Sequence, residues 1–300
     1  MGDNKILPLS EAIRKFVEDG DTLALGGWVI TRCVVASVHE LIRQKRKDLT
    51  IYQALSGLDT DLLVGAGCVS RLVTSGGTLD AFGLLNRVND AFSKGKLLVE
   101  NNSALGMATR FLAGSLGLPF LPTRAILGST IMHELEEAKA GVEMKCPFTG
   151  ENVVLLKALN PKTAIIHVQR ADKDGNAQID GPVWDSQAMA GAADKILLTT
   201  EELVERAQIT NNPERTIIPA FKVASVSVVP FGAYPTSCYK YYDYDAEQLR
   251  NYSEVSLDAD KFGKYVEEKV LAHEDFQSYL DVACPYPRRE EIKARPGRGY

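Results

Sequence analysis

From Thr22 onward, apolar runs of strand length, rich in β-branched residues, alternate with longer stretches of helical spacing, and that alternation leaves few folds open. Residues 22–25, 49–55, 69–75, 97–100, 153–156, 164–169, 196–199 and 223–229 read as strands. Helical patterns lie at residues 9–18, 33–44, 79–92, 103–116 and 186–193, mostly between those strands. Alternation of this kind builds βαβ units, so the predicted fold class is α/β, an open and mostly parallel sheet with helices on both faces. The break at Leu118-Pro119-Phe120-Leu121-Pro122 precedes residues 123–146, which show no clear sheet pattern and are expected to form a pocket-shaping excursion. Apolar spacing in 258–283 (Phe262, Tyr265, Val266, Val270, Leu271) predicts helices packed on the outside. With no repeat or linker in view, residues 1–283 are read as one domain.

In such folds ligands meet the loops that leave the carboxyl ends of the strands. That rule selects 26–32 after the first strand, 76–78 after the third and 100–103 after the fourth. Gly26-Gly27 at a strand end lets a ligand approach the backbone, and the amides can face an anionic or carbonyl oxygen. Taken alone the pair is equally a tight turn, and with Thr31 where a third glycine would stand it is no dinucleotide fingerprint. Arg124, between Pro122 and Gly128-Ser129, is either a carboxylate-holding cation or a surface arginine. Residues 167–178 read as a β-hairpin turning at Asp174-Gly175. Its acids lack the EF-hand spacing, and His167 reads as a core or interface histidine. His133-Glu134 has no second histidine one turn on, His39 and His273 lie on helical faces, and neither a GxSxG elbow nor a Walker loop occurs.

The chain has 300 residues, 45% of them hydrophobic, and a net charge of −5, which argues against nucleic acid or an anionic membrane as partner. A polar start and no spanning apolar run point to the cytoplasm. Five widely spaced cysteines (Cys33, Cys68, Cys146, Cys238, Cys284) signal neither disulfides nor a metal site and read as buried thiols. Only 284–300, with Arg288, Arg289, Lys293, Arg295 and Arg298, is locally basic, and it is expected to be a poorly ordered tail.

Four collinear segments carry a resemblance: Leu23-Ala24-Leu25-Gly26-Gly27-Trp28, Leu116-Gly117-Leu118-Pro119-Phe120-Leu121-Pro122, the 167–178 hairpin, and Pro230-Phe231-Gly232-Ala233-Tyr234-Pro235-Thr236-Ser237-Cys238-Tyr239 with Tyr242-Asp243-Tyr244-Asp245. Together they resemble the α subunit of class I CoA-transferases, most closely of the glutaconate type, along nearly the whole chain. The resemblance implies a NagB/RpiA/CoA-transferase-like fold and a similarly built β subunit in a heterotetramer. It also implies a coenzyme A thioester as substrate, with no permanently bound cofactor. CoA would move between an acyl-CoA and a carboxylic acid, dicarboxylic or aromatic-derived, through a glutamate of the β subunit that attacks the thioester.

Gly26 and Gly27 match the family's oxyanion-side glycine loop. Ala104 stands where many relatives place a glutamine oxyanion donor, so Asn102 or Ser103 is expected to substitute. The loop also carries Trp28 for a phenylalanine, and Arg32 and Val34 for a glycine and a proline. Trp28, Arg32, Ser75, Gly76, Gly77, Arg124 and Ser129 are the expected substrate-binding residues, with no metal ligand. The changes at Ala104 and in the glycine loop leave an acyl-CoA hydrolase or lyase as the alternative. A third reading is a subunit that binds acyl-CoA without catalysis.

Overall fold

The computed structural model describes residues 5–294. Its strands are β1 (Thr22–Leu25), β2 (Leu49–Tyr52), β3 (Val69–Thr74), β4 (Leu98–Asn101), β5 (Phe120–Thr123), β6 (Gly141–Lys145), β7 (Asn152–Lys157), β8 (Thr163–Ala171), β9 (Ala177–Gln178), β10 (Lys195–Leu203), β11 (Thr216–Ile218) and β12 (Val223–Val228). The helices are α1 (Leu9–Phe16), α2 (Val35–Arg43), α3 (Leu58–Gly65), α4 (Asn86–Ser93), α5 (Ala104–Ser115), α6 (Thr130–Glu137), α7 (Ser186–Ala192), α8 (Arg206–Thr210), α9 (Ala246–Val255), α10 (Ala259–Val266), α11 (Phe276–Ala283) and α12 (Tyr286–Ile292).

The main sheet runs β12-β10-β8-β1-β2-β3-β4, parallel throughout, because each crossover returns the chain to the same edge. On one face α2, α3 and α4 join the C-terminal helices around Leu25, Leu41, Ile51, Leu62 and Phe262. On the other, α5 and α7 bury Met107, Phe111 and Met189 against Ala24, Ile166 and Leu198. The doubly covered α/β sheet is the predicted one.

Register positions the site. β1 pairs with β8 only as far as Leu25↔Ile165, yet β8 continues to Ala171, where β9 folds back antiparallel on Arg170 and Ala171. β8 therefore has an unpaired edge between β1 and β9, and the loop after β1 covers it.

Four expectations of the fold need correction. Residues 123–146 do contribute sheet: β5, β7 and β6 form a separate antiparallel sheet. Four of the five β6 residues are exposed and β5 contains Pro122, so neither shows a buried alternating pattern. The 79–92 helix is broken at Gly83 (φ 123°) into a 3₁₀ turn and α4. In the expected tail, α12 is ordered, and Arg288 reaches the buried Asp245 with both Nε (2.9 Å) and Nη2 (2.8 Å). Arg295 and Arg298 lie outside the described residues. Four of the five cysteines are buried thiols, while Cys146 is partly exposed.

Helix α3 has no sequence signature because Leu58–Val64 are buried all round, including two aspartates. Asp61 accepts from the Val88 amide (2.9 Å) and the Tyr252 hydroxyl (2.9 Å), tying α3 to α4 and α9. Burial raises its carboxyl to about 6. The folded chain thus holds this proton up to a higher pH than the unfolded chain, whose aspartates titrate near ~4. Between those values stability falls as pH rises. Asp61→Asn, which can accept from the Val88 amide and donate to the Tyr252 hydroxyl, should shrink the stability gained between pH 7 and pH 5 by about 1 kcal/mol. Urea unfolding at the two pH values checks this; an unchanged pH dependence would contradict it.

Candidate active site

The loop leaving β1 is held from several sides. The Gly26 amide continues the sheet by donating to the Ile165 carbonyl (2.9 Å), so it is not a free oxyanion donor. Gly27 turns the chain at φ 93°, and among the described residues its amide meets no backbone or side-chain acceptor. Trp28 and Thr31 then exchange both backbone hydrogen bonds (2.8 Å each) around Val29 at φ 56°, a strained conformation for a β-branched residue. Of the expected glycine pair, then, Gly27 keeps a donor that the sheet does not use.

Arg32 does not reach a ligand. It is 1% exposed, and its guanidinium donates to the His167 carbonyl (3.1 Å), the Pro182 carbonyl (3.4 Å) and Ser186 Oγ (3.4 Å). It thereby serves the bare edge of β8, supplying an N–H where a neighbouring strand would. Its expected role in substrate binding gives way to that of a buried clamp joining the β1 loop to the loop after β9.

Two further predicted loops lie at the same carboxyl edge. Ser75 donates from both its amide and its hydroxyl to the Ala54 carbonyl, and Ser56 pairs with Thr74 through their hydroxyls (3.1 Å). Gly76 (φ 112°) faces open space, whereas a Cβ on Gly77 would lie 2.4 Å from Leu85 and 2.7 Å from the Ser56 carbonyl. Gly76, Gly77, Ser56, Thr74 and Asn101 line part of a 230 Å³ cavity.

After β4, Asn102 is buried and held at both ends of its amide, donating to the Glu100 carbonyl (3.3 Å) and accepting from Arg110 (2.9 Å), and so differs from the free donor expected in place of Ala104. Ser103 caps α5 by accepting from the Gly106 amide (2.9 Å) and retains its own O–H. The amides of Ala104 and Leu105 open the first turn of this 12-residue helix, where backbone donors have no intrahelical partner.

The excursion meets the edge through α6, where Glu134 accepts from Asn101 (2.8 Å). Ser129 begins α6 and spends its hydroxyl on the Ile126 carbonyl (2.7 Å). Arg124 is 69% exposed and pairs with Glu151 at 3.4 Å.

Several residues here escaped the sequence reading. His167 is wholly buried, as expected, but holds together a network: Nδ1 meets Thr199 (2.8 Å) and Nε2 meets Glu201 (2.7 Å). Glu201 also accepts from Tyr242 (2.6 Å) and from the Phe231 amide (2.7 Å). Trp184 stacks on Trp28 with ring centroids 5.4 Å apart, and the neighbouring Asp185 is buried. Glu201 ends an apolar run and Trp184 follows a Gly-Pro turn, positions that carry no periodic signal.

A family model described as Coenzyme A transferase matches residues 7–228. The chain belongs to this family. It is 33% identical over 279 residues to the A-subunit of 3-oxoadipate CoA-transferase from Pseudomonas knackmussii, covering 92% of this chain and 96% of that one. Glutaconate coenzyme A-transferase from Acidaminococcus fermentans superposes with a TM-score of 0.93 at 32% identity, covering 99% of this chain and 98% of that chain. The decarboxylase AibA/AibB, solved as a variant, superposes with a TM-score of 0.77 at 29% identity over 89% of this chain and 99% of that chain. A CoA-transferase family chain of this fold meets its thioester as a substrate. No helix among the described residues is long and apolar enough to cross a membrane.

Proposed function

We propose that this chain is the α subunit of a two-subunit CoA-transferase that moves CoA from an acyl-CoA to a carboxylic acid, the attacking carboxylate coming from a β subunit. The observation that carries the reading is the near full-length likeness to the corresponding subunits of two transferases, combined with a carboxyl edge that offers hydrogen-bond donors. Gly27 N–H, the Ser103 hydroxyl and the first amides of α5 are the groups suited to a developing oxyanion. The glutamates Glu100 and Glu201 are otherwise engaged. Glu100 lies between Arg71 and Arg110 (2.5 Å each), and Glu201 serves three donors or ring nitrogens. A partner carboxylate supplies what is missing: it attacks the thioester carbonyl and expels CoA thiolate, and the thiolate attacks the enzyme's own carbonyl of the mixed anhydride and releases the donor acid. The acceptor carboxylate repeats the two steps in reverse on the resulting enzyme–CoA thioester, freeing the carboxylate again.

The acids named for these two relatives, 3-oxoadipate and glutaconate, are dicarboxylic, and the same class is proposed here. Arg124 remains available to the second carboxylate, since an exposed ion pair such as its contact with Glu151 contributes little. Incubating the chain and its partner with an acyl-CoA and a labelled dicarboxylic acid should yield the labelled acid's CoA ester. Release of free CoA or carbon dioxide without that ester would overturn the reading.

A further inference from the structure

The chain contains two tryptophans, and they are stacked on each other at the site. Trp28 comes from the β1 loop and Trp184 from the loop after β9, with an interplanar angle of 13°. Arg32 joins the two loops and lies over Trp184, its guanidinium carbon 5.9 Å from the ring centre. Trp184 is nevertheless 38% exposed. A stacked indole pair, pinned by a guanidinium and still partly exposed, is a rigid, preorganised wall rather than a core filler.

Two further observations mark these loops as built for a ligand. Val29, Arg32 and Trp184 all have positive φ (56°, 54° and 47°), which costs energy in bulky residues and recurs where geometry is held for function. The Asp185 carboxyl, next to Trp184, is 8% exposed with Oδ2 buried and unpartnered, an acceptor that the fold leaves unused.

We propose that the Trp28–Trp184 pair is a specificity wall for planar, conjugated acyl groups, α,β-unsaturated or aromatic, against saturated groups of the same size. The proposal rests on the transferase reading and adds its substrate class. A planar conjugated group lies flat on an indole and gains stacking, whereas a puckered saturated chain keeps only partial contact.

The test uses the complex of this chain with its partner and two matched dicarboxylic pairs, glutaconate with glutarate and isophthalate with cyclohexane-1,3-dicarboxylate. The planar member of each pair should have the lower KM, by about two- to tenfold. Trp184→Leu should bring the KM ratio close to one, and Trp184→Phe should retain much of it. Intrinsic fluorescence gives a readout independent of turnover: the planar acids should quench a component that is missing from the Trp28→Phe complex. Transfer with equal KM ratios in the wild type and Trp184→Leu would overturn the proposal and leave the transferase reading standing. Selective quenching without transfer of CoA to any acid would do the reverse.

Discussion

Gly27→Ala should lower transfer by the assembled complex at least about 100-fold, the loss that follows when one oxyanion donor is misplaced. Two independent effects act at this position. The backbone is at φ 93°, which L-residues rarely adopt, and a Cβ would lie 2.5 Å from the Arg32 carbonyl oxygen and 2.8 Å from Cys33 Cα. Those atoms are backbone and cannot rotate aside, so the β1 loop must shift and take the Gly27 amide with it. Gly67→Ala separates the two effects, because Gly67 has φ 77° but nothing within 4 Å of its Cβ position. That variant should lose a little stability and keep its activity. A Gly27→Ala complex working at half the wild-type rate would show that the loop donates nothing to the reaction.

The second large effect is expected at Glu201. Its side chain is 3% exposed and lies within 2.7 Å of His167 Nε2, Tyr242 Oη and the Phe231 amide. Removing it leaves the Phe231 amide and the His167 ring nitrogen without this buried partner, and the Tyr242 hydroxyl with only the Ala233 amide. Glu201→Ala should therefore cost about 3–5 kcal/mol, the range for breaking a buried charged network from one side. Glu201→Gln should cost less, because its carbonyl still accepts, although its NH2 opposes either the amide donor or the His167–Tyr242 pair. Chemical denaturation of the three proteins orders them; a Glu201→Ala chain as stable as wild type would mean the network does not hold β10 to the 231–242 segment.

The strands of the parallel sheet were legible because burial on both faces demands continuous apolar runs, as in Ala164-Ile165-Ile166 and Ile196-Leu197-Leu198. The site loops were legible for the related reason that ligands meet a parallel sheet at its carboxyl edge. What stayed hidden depended on register and on three-dimensional contact. Arg32 looks like a ligand residue in a glycine loop, and only the length of β8 beyond Ile165 turns its guanidinium inward. Asn102 looks like a free donor until Arg110, eight residues on, holds its oxygen and the Glu100 carbonyl takes an N–H. The small antiparallel sheet was missed because β6 offers only a four-residue alternation, Val142-Glu143-Met144-Lys145, whose apolar members are exposed. Trp184 is meaningful only beside Trp28, which is 156 residues away in sequence and adjacent in space.

The central claim is that this chain shapes a transferase site whose covalent chemistry belongs to its partner. Intact-mass measurement of the complex, quenched after mixing with an acyl-CoA and no acceptor acid, tests it most directly. The account predicts a CoA-sized mass increase on the partner subunit and none on this chain. A CoA adduct on this chain, or turnover of the thioester by this chain alone, would contradict it.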